Sequence, residues 1–104
     1  MTSKQRAYLR GLANSLEAIV HVGKSGMADT IVKQADDALK AREIIKCRVL
    51  ENSMLTAREA CDELSRATHS EQVQVIGTKF VLFKFQPDLS KRKIELVKDT
   101  KKKK

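Results

Sequence analysis

The stretch that most constrains the fold is residues 20–27, where a short apolar run meets two glycines that bracket a lysine and a serine. The apolar run is typical of a buried strand. Gly23 and Gly26 can take left-handed backbone angles and let another backbone approach, as a turn from strand into helix requires. The first amides of a helix have no intrahelical partner, so a phosphate could dock there beside Lys24. We therefore expect a strand–turn–helix unit whose turn contacts phosphate.

Helix and strand patterns alternate along the rest of the chain. Thr2 with Gln5, and Thr56 with Glu59, have the spacing of a capping box and predict helices that begin there. Gly77 and the residue after it predict a tight hairpin. Apolar spacing predicts strands at 18–22, 44–49, 72–76 and 79–85, a helix from Met27, and a short edge strand at 91–96.

The order αβαβαββ predicts an α/β fold, because strands separated by helices pair in parallel through right-handed crossovers. We expect a two-layer sandwich with a mixed sheet and the helices on one face. In the strand 44–49 the apolar residues alternate with Lys46 and Arg48. The other sheet face is therefore predicted to be open and basic.

The 104 residues carry a net charge of +8, and the excess lies near the two ends. Five lysines fall within residues 98–104. Segregated positive charge favours a polyanion as partner, although for the last lysines solubility is an equally good explanation. We expect one domain at 1–97 and a disordered lysine-rich tail at 98–104.

Several function classes find no support in the residues. Cys47 and Cys61 lack zinc-ligand spacing and are expected to be buried, so we predict neither a metal nor a cofactor. His21 and His69 accompany no nucleophile motif, and no catalytic residue is predicted. No run of roughly 20 apolar residues or secretory leader occurs, which predicts a cytoplasmic protein without membrane contact.

The order strand, glycine, lysine, serine, helix also suggests a nucleotide-binding P-loop. That loop needs a glycine five residues before Gly23, and Ala18 stands there instead. A turn with no binding role is the other alternative. Two further readings remain besides polyanion binding: a P-loop-like nucleotide-binding enzyme, and a protein-interaction domain that uses the open sheet face.

The sequence resembles the stand-alone bacterial CRM-domain proteins of the YhbY type. The resemblance rests on the runs Ser-Lys-Gln-Arg at 3–6, Tyr-Leu-Arg at 8–10, Leu-Ala at 12–13 and Val-Gly-Lys-Ser-Gly at 22–26, and continues at 44–49, 73–77 and 81–84. It implies a fold similar to the C-terminal domain of translation initiation factor three. It also implies RNA binding, with precursors of the large ribosomal subunit and their 23S rRNA as partner. We expect a monomer.

Residues and resemblance together give a candidate RNA-binding set. Gly23 and Gly26 would allow backbone approach, Ser25 and the helix amides would bind phosphate, and Lys24 would neutralise it. The GXXG loop of KH domains, which clamps an RNA backbone, is the physical parallel. Four further cations would widen the footprint: Arg6, Arg10, Lys46 and Arg48.

Overall fold

Three helices and four strands alternate in the computed structural model, which describes residues 2–85. The helices and strands follow the predicted order αβαβαββ. Their bounds are α1 Ser3–Ala13, β1 Ala18–Val22, α2 Asp29–Arg42, β2 Ile44–Val49, α3 Ala57–Thr68, β3 Glu71–Ile76 and β4 Lys79–Phe83.

The four strands form one mixed sheet in the order β1-β2-β4-β3. Strands β1 and β2 are parallel and are joined through α2, whereas β4 is antiparallel to both of its neighbours. A tight turn at Gly77, which has a φ of +60°, connects β3 to β4. The last strand in the described chain is therefore a central strand of the sheet. The predicted α/β class and mixed sheet are confirmed.

Helices α2 and α3 pack on one face of the sheet. Alternate residues of each strand point towards these helices, since side chains along a strand alternate between faces. The centre of this cluster is fully buried, with Leu64 of α3 against Phe80 and Leu82 of β4. The cluster also contains Val20, Val22, Ala35, Leu39, Ile45, Cys47, Val49, Ala57, Ala60 and Cys61.

Helix α1 lies on the opposite face, so the expectation that all helices gather on one face is wrong. Leu9 and Ala13 of α1 pack in a second cluster with Val81 and Phe83 of β4. The alternate residues of the same strand, Phe80 and Leu82, face the other way and belong to the first cluster. The apolar stripe of α1 marks which side of the helix is buried, but it does not say which sheet face that side meets. The remaining buried members are Ile44 and Val73.

Two of the three helix starts carry the predicted capping boxes. The Thr2 and Thr56 hydroxyls accept from the amides of Gln5 and Glu59, each at 3.1 Å, and the two longer side chains bond back to the cap amides. Helix α2 differs, because it begins at Asp29 behind an N-cap residue, Ala28, whose side chain makes no cap bond. The sequence predicted that the turn at 23–26 runs straight into the helix. The structure instead separates the two by Met27 and Ala28.

Both cysteines are buried, as predicted, and neither forms a disulfide bond. Burial raises the pKa of the Cys47 thiol from 9.0 to about 12, with Cys61 adding to the rise. Burial likewise raises the pKa of Cys61 to about 11. Their thiols are therefore protonated at neutral pH and serve as small apolar groups in the core.

Three predictions concern residues beyond 85. The edge strand at 91–96, the tail at 98–104 and the domain boundary between 97 and 98 lie outside the described residues and stay predictions. Within 2–85, none of the helices has the length and apolar character needed to cross a membrane.

Candidate nucleic-acid interface

Residues 23–26 form a tight turn at the carboxyl end of β1. The Gly26 amide donates to the Gly23 carbonyl oxygen at 3.0 Å, which places Lys24 and Ser25 at the exposed tip. Gly26 has a φ of +65°, a conformation that favours glycine. In the described part of the chain, the amides of Lys24 and Ser25 donate to no acceptor. Two adjacent donors at the tip can therefore meet an anion.

The start of α2 contributes less to this turn than the sequence suggested. Met27 and Ala28 separate Gly26 from the first helical residue, Asp29. The Asp29 carboxylate is exposed in the first turn of α2. Its negative charge interacts favourably with the positive end of the helix dipole and so occupies the position an external anion would take. The anion-binding groups of this region are therefore the turn amides with Lys24, rather than the helix amides.

The turn is packed beside the loop that follows β2. The Leu50 amide donates to the Val22 carbonyl at 2.9 Å, just before the turn begins. A Cβ added to Gly23 would lie 3.5 Å from both Asn52 Oδ1 and Leu50 Cδ1, and one on Gly26 would lie 3.8 Å from Leu55 Cδ1. The loop 50–56 thus supports the turn along one side and leaves the tip open.

A row of side chains crosses the sheet next to the turn. Strand register aligns His21 of β1 with Arg48 of β2, Arg48 with Lys79 of β4, and Lys79 with Ile76 of β3. All four side chains are exposed. Neighbouring strands are about 4.8 Å apart, so this row, which we call the cross-sheet row, spans roughly 14 Å. The cross-sheet row lies on the same sheet face as α1. Helix α1 covers the opposite end of the strands and leaves the row uncovered.

Lys46 stands on the same face, one row nearer to α1. It aligns with Ala18 of β1 and with Val81 of β4, and it is half-buried. The predicted projection of Lys46 and Arg48 from the face opposite α2 and α3 is therefore present. That face is open only in part, since α1 packs over its far end.

The cations of this region have no acidic partner, in contrast to those on the helical side. The four ion pairs in residues 2–85 all involve α2 or α3: Lys33–Asp37, Lys40–Asp36, Arg58–Asp62 and Lys84–Asp36. Lys24, Lys46, Arg48 and Lys79 form none among these residues. Strands β1, β2 and β4 contain no aspartate or glutamate. The positive charge on this face is therefore available to an external anion.

The two arginines of α1 lie apart from the turn. Arg6 Nε donates to the Gln72 carbonyl oxygen at 3.3 Å, near the start of β3, and the same edge of the sheet holds Arg58. Gln72 aligns with Leu82, at the opposite end of the sheet from the turn. Arg10 is exposed on α1. The structure therefore brings together the turn, Lys46 and Arg48, and it places Arg6 and Arg10 on a separate flank.

Sequence reasoning missed three members of the cross-sheet row. His21, Lys79 and Ile76 are not among the RNA-binding residues that the sequence predicts. A signal for Lys79 was present, because side chains along a strand alternate between the two sheet faces. With Phe80 buried against α2 and α3, its neighbour Lys79 must point to the opposite face. Its position beside Arg48 depends on β4 inserting next to β2, which periodicity does not reveal.

The described residues contain no group of three or more His, Cys, Asp or Glu side chains placed to hold a metal ion. The four-residue turn with its two free amides is also much smaller than the loop that wraps a nucleotide triphosphate. The arrangement is suited to contacting an extended anion across a surface.

Comparison with models of known protein families shows which family the chain belongs to. The family model described as the CRS1 / YhbY (CRM) domain matches residues 1–84. The chain belongs to the CRS1/YhbY (CRM) domain family. The resemblance inferred from the sequence runs is thereby confirmed.

Curated relatives of this CRM domain carry RNA-binding names. "Probable RNA-binding protein YqeI" of Bacillus subtilis is 40% identical over 84 residues, which is 81% of this chain and 88% of the relative. "RNA-binding protein" of Haemophilus influenzae is 31% identical, covering 81% and 85%. "Probable RNA-binding protein MJ0652" of Methanocaldococcus jannaschii is 35% identical, covering 81% and 63%.

A solved structure shares the fold. The solution structure of SAV1595 from Staphylococcus aureus is similar with a TM-score of 0.73 and 39% sequence identity, covering 91% of this chain and 99% of that one. The two chains therefore share this fold over nearly their whole described length.

Proposed function

We propose that this CRM domain is a non-enzymatic RNA-binding protein that binds the phosphate backbone through the glycine turn and the neighbouring cationic sheet face. The observation that carries the proposal is the continuity of these two features. The turn follows Val22, and His21 beside it aligns with Arg48, which aligns with Lys79; neither of these two cations forms an ion pair with a described residue. The RNA-binding names of the relatives support the same class of ligand.

Phosphate contact follows from the chemistry of the groups. The amides of Lys24 and Ser25 would donate to phosphate oxygens, the Lys24 ammonium would neutralise the charge, and Gly26 would leave room for the backbone to approach. Lys46 and Arg48 would hold the next phosphates. Arg6 and Arg10 would extend the contact along α1.

The partner we propose is 23S rRNA in precursors of the large ribosomal subunit, bound by a cytoplasmic monomer. This step rests on the family relationship and on the length of the cationic surface, which suits a large polyanion better than a small anion. In a sucrose gradient of cell extract at low salt, the protein should comigrate with large-subunit precursors and be depleted from polysomes. Raised salt should release it to the top of the gradient.

A matched pair of variants controls this gradient. Lys24→Gln removes a cation from the turn, whereas Lys33→Gln removes an exposed cation that pairs with Asp37 on α2. The first variant should shift towards the top at a lower salt concentration, and the second should sediment like the parent protein. Sedimentation with polysomes, or free protein at low salt, would contradict the assembly role.

Calorimetric titration tests the binding class separately. The protein should release or absorb heat on titration with single-stranded RNA and show none with ATP and Mg²⁺, because a four-residue turn offers too few amides for a triphosphate. Saturable ATP binding would favour the nucleotide-binding enzyme instead. If the protein binds no RNA, the proposal is contradicted. The remaining candidate is then a protein-interaction domain that uses the open sheet face.

A further inference from the structure

A cleft lies beside the glycine turn, between the loop 50–56 and the hairpin turn at 77–78. Its volume is about 780 Å³, and Arg48 of the cross-sheet row stands at its rim. Asn52 belongs both to the cleft and to the support of the turn, because a Cβ added to Gly23 would lie 3.5 Å from Asn52 Oδ1. The cleft is therefore continuous with the surface proposed to hold phosphates.

Two charged side chains, Arg48 and the exposed Glu51, line the cleft, and its uncharged polar side chains fall into two groups. The Ser53 hydroxyl accepts from the Leu55 amide at 3.0 Å, and the Thr56 hydroxyl caps α3, so both serve the fold. The Asn52 amide and the Thr78 hydroxyl, by contrast, form no hydrogen bond with any described residue, and both residues are exposed. The cleft thus holds uncommitted donors and acceptors that the fold does not use.

The remaining wall of the cleft is apolar. Leu50 is 36% exposed, and Leu55 and Val49 continue the wall towards the core. A binding site for a flat organic group typically combines such a wall with a few convergent polar groups. A nucleobase has both an apolar face and a hydrogen-bonding edge.

We propose that this cleft receives one nucleobase of a single-stranded RNA whose phosphates lie on the glycine turn and Arg48. The base stacks on Leu50, and the Asn52 amide, with one acceptor and two donors, pairs with its edge. Single-stranded RNA is required because a base inside an A-form duplex cannot turn its edge into a cleft. The inference rests on the proposed RNA binding and adds base recognition to it.

The test uses ten-residue RNAs that are abasic except at the centre, which carries uridine, adenosine, cytidine or guanosine. The full-length protein should prefer one central base by on the order of tenfold, the effect of one good amide–base pair. Asn52→Ala should reduce this preference to below about twofold, without changing the salt dependence that reports phosphate contacts. Circular dichroism checks that the variant is folded.

Asn14→Ala is the matched control. Asn14 is the other asparagine of the chain, exposed at the end of α1 in a right-handed helical conformation that alanine adopts freely. This variant should keep the base preference of the parent protein. Equal affinity of the parent for all four RNAs, or an unchanged preference in Asn52→Ala, would overturn base recognition while leaving RNA binding intact. Failure of the parent to bind any of the RNAs would overturn the proposed function as well.

Discussion

Gly26 carries two separable properties, a positive φ and proximity to the proposed phosphate. Its φ of +65° strains most side chains, but Asn and Asp tolerate this region better than others. A Cβ there would meet only Leu55 Cδ1 at 3.8 Å, which is an ordinary contact. Gly26 can therefore accept a small polar side chain at a cost of about 1 kcal/mol.

Comparing Gly26→Asp with Gly26→Asn isolates charge, since the two side chains have the same shape and similar backbone strain. Gly26→Asp should weaken RNA binding by on the order of tenfold relative to Gly26→Asn, because a carboxylate would stand beside a phosphate. Filter binding at fixed salt measures the difference. Equal affinities in two folded variants would exclude phosphate contact at this turn.

The buried Cys47 thiol makes stability depend on pH at the alkaline end. Its pKa is about 12 in the folded protein and near 9.0 when exposed, so its contribution is complete below about pH 9 and is lost as pH rises towards 12. Between pH 7.5 and 10 this thiol should lower the free energy of unfolding by about 1 kcal/mol.

Urea denaturation of the parent and of Cys47→Ala measures this effect. The variant should be less stable at pH 7.5, since the substitution leaves a cavity beside the fully buried neighbours of Cys47. It should nevertheless lose less stability between pH 7.5 and 10. Parallel losses in the two proteins would mean that Cys47 ionises equally in the folded and unfolded states.

Secondary structure elements were predictable where the sequence contains a local signal. The bounds of β2 are those predicted, and Thr56 with Glu59 correctly marked the start of α3. The start of α2 was misplaced because Ala28 offers no capping side chain to mark it. The face chosen by α1 and the row of Arg48 and Lys79 depend on strand order, which no local pattern encodes.

The cross-sheet row yields a prediction at the level of the sheet. The double variant Arg48→Gln with Lys79→Gln should lower the slope of log affinity against log salt by about 0.7 for each lost phosphate contact. The matched control is Lys33→Gln with Lys40→Gln, which removes two exposed cations paired with aspartates on α2. The control should keep the slope of the parent. An equal reduction in both would point to a diffuse effect of net charge.

Across the whole molecule, charge is divided between two sides. Helices α2 and α3 together carry six acidic and five basic residues, whereas α1 carries three basic and no acidic ones. Together with the cationic sheet face, this orients the molecule towards a polyanion. The five lysines within residues 98–104 add charge that sequence alone assigns to no surface.

Removing residues 98–104 should lower affinity for different RNAs by a similar factor and flatten the salt dependence, because these lysines release counterions without reading bases. A second variant with the five lysines changed to serine keeps the length and removes the charge, and it should behave like the truncation. Filter binding of two unrelated RNAs across a salt series measures both effects. A changed preference between the RNAs, with the slope unchanged, would contradict a purely electrostatic tail.

The central position of β4 sets the order in which the domain can mature during translation. Strand β3 pairs only with β4 in the described sheet, and α1 packs partly on Val81 and Phe83 of β4. A nascent chain that has released β1, α2 and β2 can form a parallel unit in which α1 meets Ile44 of β2, but Val73, Val81 and Phe83 join that cluster only after β3 and β4 leave the ribosome. The apolar stripe of α1, the first described helix, is thus fully covered only after the last described strand is made, and a chain that ends before Lys79 leaves β3 without the strand it pairs with.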